Sequence, residues 1–180
     1  MTWMNTSQTY GFVAKALHWL VALLVLLMLM IGIAMGVDYI PEGWHGWVYN
    51  LHKSLGIVVL FVMLTRLIWR LVNYQPPLPD SVPLLQRWLA WLNHWALYIA
   101  LLIMPLSGWL MATASGHIPY FFWLFHWSFP LVGLNEQLAS WMVSVHYYTA
   151  WVLGGLIMLH VLAALKHALI EKDGVVQRML

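Results

Sequence analysis

Four long apolar stretches, separated by polar or proline-bearing connections, organise the chain. They cover roughly 13–36, 51–73, 89–113 and 141–169. A helix needs about 20 mostly apolar residues to cross a hydrocarbon core, and each stretch meets that length. Pro41 and Gly43 break the first connection. The run Gln75-Pro76-Pro77-Leu78-Pro79-Asp80 breaks the second, because proline stops a helix and disfavours it at the preceding residue. The third connection, about 114–140, is long for a compact protein. It is crowded with Tyr120, Phe121, Phe122, Trp123, Phe125, Trp127 and Phe129. Such rings favour the membrane–water interface, so this segment is expected to lie along one membrane face or to cover something there. The pattern predicts an all-α, integral membrane four-helix bundle forming one domain over 1–180.

Composition removes the soluble alternative. The chain is 63% hydrophobic and 8% charged over 180 residues, whereas a soluble domain carries about 25% charged residues. Lipid must therefore cover most of the exterior. There is no cysteine, which excludes cysteine-ligated iron–sulfur clusters and the C-x-x-C-H attachment of c-type haem. Residues 1–10 lack the basic region and small-residue cleavage site of a secretory signal. The first stretch is also too long for a signal core, so it is expected to remain as an anchor.

Charge sets an orientation. Lys15, Arg66, Arg70, Arg87, Lys166, Lys172 and Arg178 fall at one side of the four spans, and only Lys53 at the other. By the positive-inside rule both termini and the 74–88 loop are cytoplasmic. The outer connections carry Asp38, Glu42 and Glu136.

The candidate chemistry is imidazole. An ionisable side chain inside a membrane is costly and is a functional candidate by default. His18 and His52 open the first and second stretches, and His146 and His160 lie fourteen residues apart in the fourth. Fourteen residues rise roughly 21 Å and return to within about 40° of the same helix face. Helix direction then fixes depth. His18 and His160 are inner, while His52 and His146 are outer. Two pairs at two depths, on facing helices of a bundle, fit the axial ligands of two haems. Polar glue between helices explains one such histidine more readily than four at matched depths. Zinc needs about four compact ligands, which two pairs roughly 20 Å apart do not supply. Gly32 falls at the depth of the outer pair and leaves room for a flat ring, or for close helix packing. Arg66 falls at the depth of the inner pair, where a guanidinium can hold haem propionates or snorkel. His94 and His167 lie on the inner side, where they suit quinone binding and proton exchange.

Several stretches together resemble a known family. They are Tyr10-Gly11, Leu17-His18-Trp19-Leu20, Leu51-His52-Lys53-Ser54-Leu55-Gly56, Arg66-Leu67-Ile68-Trp69-Arg70 and His146…His160…Lys166-His167. The tail Lys172-Asp173-Gly174-Val175-Val176-Gln177-Arg178-Met179 completes the set. In order and spacing they resemble the bacterial di-haem cytochrome b561 family over essentially the whole chain. The resemblance implies a bacterial inner-membrane cytochrome with two b haems, carried by His18, His52, His146 and His160. It also implies electron exchange with ubiquinone, and in some relatives oxidation of superoxide at the outer side. Lys53, adjoining His52 in an otherwise acidic outer environment, would then steer a small anion toward the outer haem.

Two axial histidines leave an iron no open position, so such haems move electrons rather than bind dioxygen. The expected function is electron transfer between an outer donor, with superoxide one candidate, and the quinone pool. An alternative is a haem-bearing anchor subunit of a larger oxidoreductase such as a hydrogenase. A histidine-lined metal transporter is disfavoured because the spans lack carboxylates. The expected partners are lipid, quinone and a redox protein, with no nucleic acid.

Overall fold

The computed structural model describes residues 2–79 and 81–180. Met1, at the head of the polar N-terminal segment, and Asp80, at the end of the proline run, lie outside the described residues. Four helices dominate: α1 Phe12–Gly36, α2 His45–Val72, α3 Leu84–Ala114 and α4 Glu136–Leu165. All four are long and apolar enough to cross a membrane. They lie on the four expected stretches, but α2, α3 and α4 begin five or six residues earlier, at His45, Leu84 and Glu136, and α4 proper ends at Leu165.

Local chemistry sets the ends. Asn135 caps α4 by accepting the Leu138 N–H at 2.9 Å, and Glu136 in the first turn complements the helix dipole. Beyond α3, Gly116 takes a φ of +79°, the left-handed conformation that ends a helix at little cost in glycine. Past Leu165, α4 continues as one π-helical turn, Lys166–Glu171. Such turns are rare and concentrate at functional sites.

The helices pack in sequence order, α1 on α2, α2 on α3 and α3 on α4. Their shared core comprises Val21, Val25, Val59, Met63, Tyr98, Ala100, Leu101 and Leu153. Outward faces carry large apolar side chains such as Leu23, Met30, Ile33, Trp151 and Met158, each exposed. In water such a surface would aggregate; in lipid it is the solvated face. Backbone packing of α1 or α2 directly on α4 is slight. The bundle therefore holds a cleft between α4 and the α1/α2 pair, bridged by side chains.

Each end of the cleft is closed by non-helical chain. At one end, the aromatic connection folds into a short antiparallel hairpin, β1 Tyr120–Phe121 and β2 Phe125–His126. Its turn holds Phe122 and Trp123 at φ of 43° and 61°, a conformation that bulky residues avoid. Contacts to α2 impose it. Asn50 accepts the Tyr120 N–H at 2.9 Å and donates to the Tyr120 carbonyl at 2.7 Å. The buried Ser54 hydroxyl accepts the Phe122 N–H at 3.0 Å. Trp47 stacks on Trp123 with ring centres 5.6 Å apart. From α3, the Trp109 indole donates to the Trp127 carbonyl, and Thr113 accepts the Phe129 N–H. The connection is a folded cover, held by backbone bonds to two helices.

At the other end the termini knit together. Asn5 accepts the Gly11 N–H and donates to the Tyr74 carbonyl. Trp19 donates to the Met179 carbonyl at 3.0 Å, and Arg178 to the Pro77 carbonyl at 2.6 Å. Packing against Gly11 is close, since a Cβ there would lie 2.5 Å from the Met4 carbonyl.

Candidate functional site

The cleft brings the four span-opening and α4 histidines together in two pairs. At the termini end, the His18 and His160 ring centres are 6.2 Å apart. At the hairpin end, His52 and His146 are 6.4 Å apart. Metal–imidazole bonds of about 2 Å on each side of one iron, with about 1.2 Å from nitrogen to ring centre, require about 6.4 Å between ring centres. Both pairs have that spacing. Among the described residues the buried Nδ1 atoms of His18 and His52 have no hydrogen-bond partner. Glue between helices would be hydrogen-bonded across the interface, whereas these rings are placed for something lying between them. The residues present therefore fit a cofactor with two axial imidazoles at each end.

The hairpin-end pair borders an apolar cavity lined by Val25, Met28, Gly56, Leu101, Met104 and Pro119. Gly32 faces His52, a Cβ there lying 3.7 Å from the ring, in ordinary contact. Gly108 faces His146, where a Cβ would lie only 2.9 Å from the ring. Pro119, fully buried, brings the hairpin connection to the cavity wall. Lys53 does not extend freely into solvent. It is part-buried, and its ammonium donates to the His117 carbonyl at 3.0 Å. This fixes a positive charge just beyond the end of α3.

The termini-end pair sits among cations and aromatics. Arg66 lies close enough to His18, His94 and His160 for its charge to act on all three. Its Nε donates to the Tyr98 hydroxyl at 3.2 Å. Arg66 and Arg70 flank the Tyr98 ring at 5.6 and 5.4 Å. Among the described residues neither has a carboxylate within ion-pair distance. Two part-buried guanidiniums without anions are costly, which favours an anionic partner there. Burial raises the Tyr10 phenol above its ordinary pKa against the opposing pull of Arg70, keeping it a hydrogen-bond donor.

The two remaining candidates separate. His94 is buried against His160 with ring centres 5.4 Å apart, an edge contact closer than the roughly 6.4 Å of a shared metal. His167 turns away into the tail. Its Nδ1 lies 2.6 Å from Asp173 Oδ2 and 2.7 Å from Glu171 Oε2. Burial acts to raise the Asp173 carboxyl, but the Val175 N–H and His167 outweigh it and hold it below its ordinary value. His167 thus belongs to a carboxylate–imidazole cluster on the π-helical turn.

Sequence reasoning missed Arg70, Tyr98 and the polar residues Asn50, Ser54 and Ser107. Arg70 had a signal, since it follows Arg66 by one helical turn. Asn50 and Ser54, also a turn apart, flank His52 on one apolar helix. Tyr98 and Ser107 gave none.

The family described as prokaryotic cytochrome b561 matches residues 9–180. The chain is similar to cytochrome b561 homolog 2 of Escherichia coli (strain K12), 35% identical over 181 residues, covering 100% of this chain and 95% of that protein. It is also similar to the probable superoxide oxidase CybB of Yersinia pestis, 30% identical over 172 residues, covering 95% of each chain. Cytochrome b561 homolog 1 of Escherichia coli (strain K12) is 30% identical over 174 residues, covering 91% of this chain and 92% of its own.

Proposed function

Because this chain belongs to the prokaryotic cytochrome b561 family, we propose that it is a di-haem b cytochrome of the bacterial inner membrane, carrying electrons between an outer donor and ubiquinone. The carrying observation is the pair of histidine couples at 6.2 and 6.4 Å, one toward each end of an apolar bundle. His18 and His160 hold one haem and His52 and His146 the other. When bound, haem supplies a reversible one-electron couple at each site. Every other role belongs to the chain. Apolar walls keep water from the cleft, and Arg66 with Arg70 would hold an anionic group of the cofactor at the termini end. The termini face the cytoplasm, by the excess of basic residues there.

Superoxide is the donor this reading favours, from the likeness to the probable superoxide oxidase. The balance is two superoxide anions giving two dioxygen molecules, while one quinone takes up two electrons and two protons. Isolated protein in ubiquinone-containing liposomes tests it. Superoxide-dependent quinol formation at that ratio supports the reading. Both haems present without turnover would instead favour an anchor subunit that needs a partner enzyme.

Two substitutions probe the ends. Lys53 places the only basic side chain of the outer side beside His52, and a fixed charge there raises the encounter rate of a small anion in a salt-dependent way. Lys53→Gln is expected to lower the second-order rate of haem reduction by superoxide roughly two- to tenfold, with haem content unchanged and a flatter salt dependence. Stopped-flow rates at several ionic strengths check this. At the inner side, His167 with Asp173 and Glu171 forms a route by which protons reach a reduced quinone. His167→Ala is expected to slow quinone-linked turnover by about tenfold or more while superoxide still reduces both haems. Equal turnover in the variant and the parent would place the proton route elsewhere, with His94 the remaining inner candidate.

A further inference from the structure

Among the described residues, His146 alone of the four paired histidines is hydrogen-bonded. Its Nδ1 lies 2.9 Å from the Met104 carbonyl oxygen and 3.2 Å from the Ser107 hydroxyl. A carbonyl only accepts, so Nδ1 carries the proton and donates it. The tautomer is thereby fixed, and Nε2 keeps its lone pair. Ser107 is buried, and its hydroxyl donates to the same Met104 carbonyl at 2.9 Å. That turns an oxygen lone pair toward the imidazole N–H, which then has two acceptors. The ring reaches this position because the next residue is Gly108. A Cβ there would lie 2.9 Å from His146 Cε1 and 3.2 Å from Nδ1, so any side chain would push the ring off its acceptors. Among the described residues no equivalent exists for His52 or His18, whose Nδ1 atoms have no partner there.

We propose that Met104, Ser107 and Gly108 of α3 form a seat for His146 that orients it and sets the potential of the outer haem apart from that of the inner one. The proposal rests on the di-haem reading above. Hydrogen bonds from the second nitrogen of a ligating imidazole fix its orientation and raise its basicity. A more basic axial ligand stabilises the oxidised metal, and hydrogen bonding to that ligand is a principal lever on haem potential. Ser107 and Gly108 contact the ring of His146. They are positioning residues acting through His146. The asymmetry has a direction: the seat lowers the outer potential relative to a ligand without acceptors, which favours onward flow from the outer site to the inner one.

Potentiometric titration of the purified, haem-loaded protein tests this, with each wave assigned by the single-histidine variants. Ser107→Ala removes one acceptor, and the outer haem is expected to shift to a more positive potential with the inner wave unmoved and haem content intact. Ser107→Thr keeps a hydroxyl able to bond the carbonyl a turn back and is expected to restore the parent value. Gly108→Ala, which favours helix formation intrinsically, is expected to displace the ring and lose the outer haem while the inner one is retained. An outer potential in Ser107→Ala that is unchanged or lowered, or a shift shared equally by both waves, overturns the proposal. The parent protein separates the two claims: fewer than two haems would defeat the di-haem reading and this proposal with it, whereas two haems with an insensitive outer wave would defeat the seat alone.

Discussion

Replacing His160 by alanine is expected to remove one haem of two and leave the other in place. The ring pairs His18–His160 and His52–His146 share no residue, and each pair brings two helices to the spacing of one bis-imidazole iron. His18→Ala is expected to lose the same haem as His160→Ala, because one axial nitrogen does not hold the site against an open cleft. His52→Ala and His146→Ala are expected to lose the other. Haem-to-protein ratios fall by half in every case, and potentiometry shows which wave has gone. If His18→Ala and His52→Ala abolished the same wave, the pairing would be wrong. His94→Ala discriminates further. Its ring touches His160 at 5.4 Å without facing it across a metal-sized gap, so both haems are expected to remain.

The second large effect concerns the cover at the hairpin end. Asn50 substitutes for a neighbouring strand, accepting from one peptide group and donating to the other at Tyr120. Asn50→Ala leaves the Tyr120 N–H without its partner in a part-buried place and the Tyr120 carbonyl with the Trp123 N–H in place of two donors. It also releases the strained Phe122–Trp123 turn that Ser54 and Trp47 help to hold. The expected loss is about 1–3 kcal/mol of stability, read as a lowered unfolding temperature in detergent. The outer haem is expected to become open to exogenous ligands and reductants while the inner one is protected. Stability within about 0.5 kcal/mol of the parent, the ordinary range for a surface substitution, would show that the hairpin is held by its aromatic contacts alone.

Much of this architecture was legible because the membrane simplifies the code. Apolar length alone yielded four helices, since lipid admits helical backbone and few alternatives. Helix direction and a fourteen-residue spacing were enough to say which histidine rings would meet. The same depth argument put Arg66 at the inner end, where it lies beside Tyr98 together with Arg70 one turn further on. The hairpin cover was not legible in detail. Its anchors, Asn50 and Ser54, reach across about seventy residues to backbone groups, and such bonds leave no periodic trace. Nor was its turn, because aromatics at positive φ contradict the local preference that sequence reading relies on. His167 was placed near the inner pair from its spacing alone. Its carboxylate partners follow from the π-helical turn and the fold-back of the tail, neither of which a 3.6-residue period expresses. The His146 seat was hidden for a similar reason: its acceptor is a main-chain carbonyl, and its essential feature is the absence of a side chain at Gly108.

The central claim is that one chain carries two haems at two separate histidine pairs. The most direct test is the haem-to-protein ratio of the purified protein, measured alongside a potentiometric titration. Two haems b per chain and two one-electron waves are the expected result. A ratio near one, or a single wave that accounts for all the haem, would contradict the account.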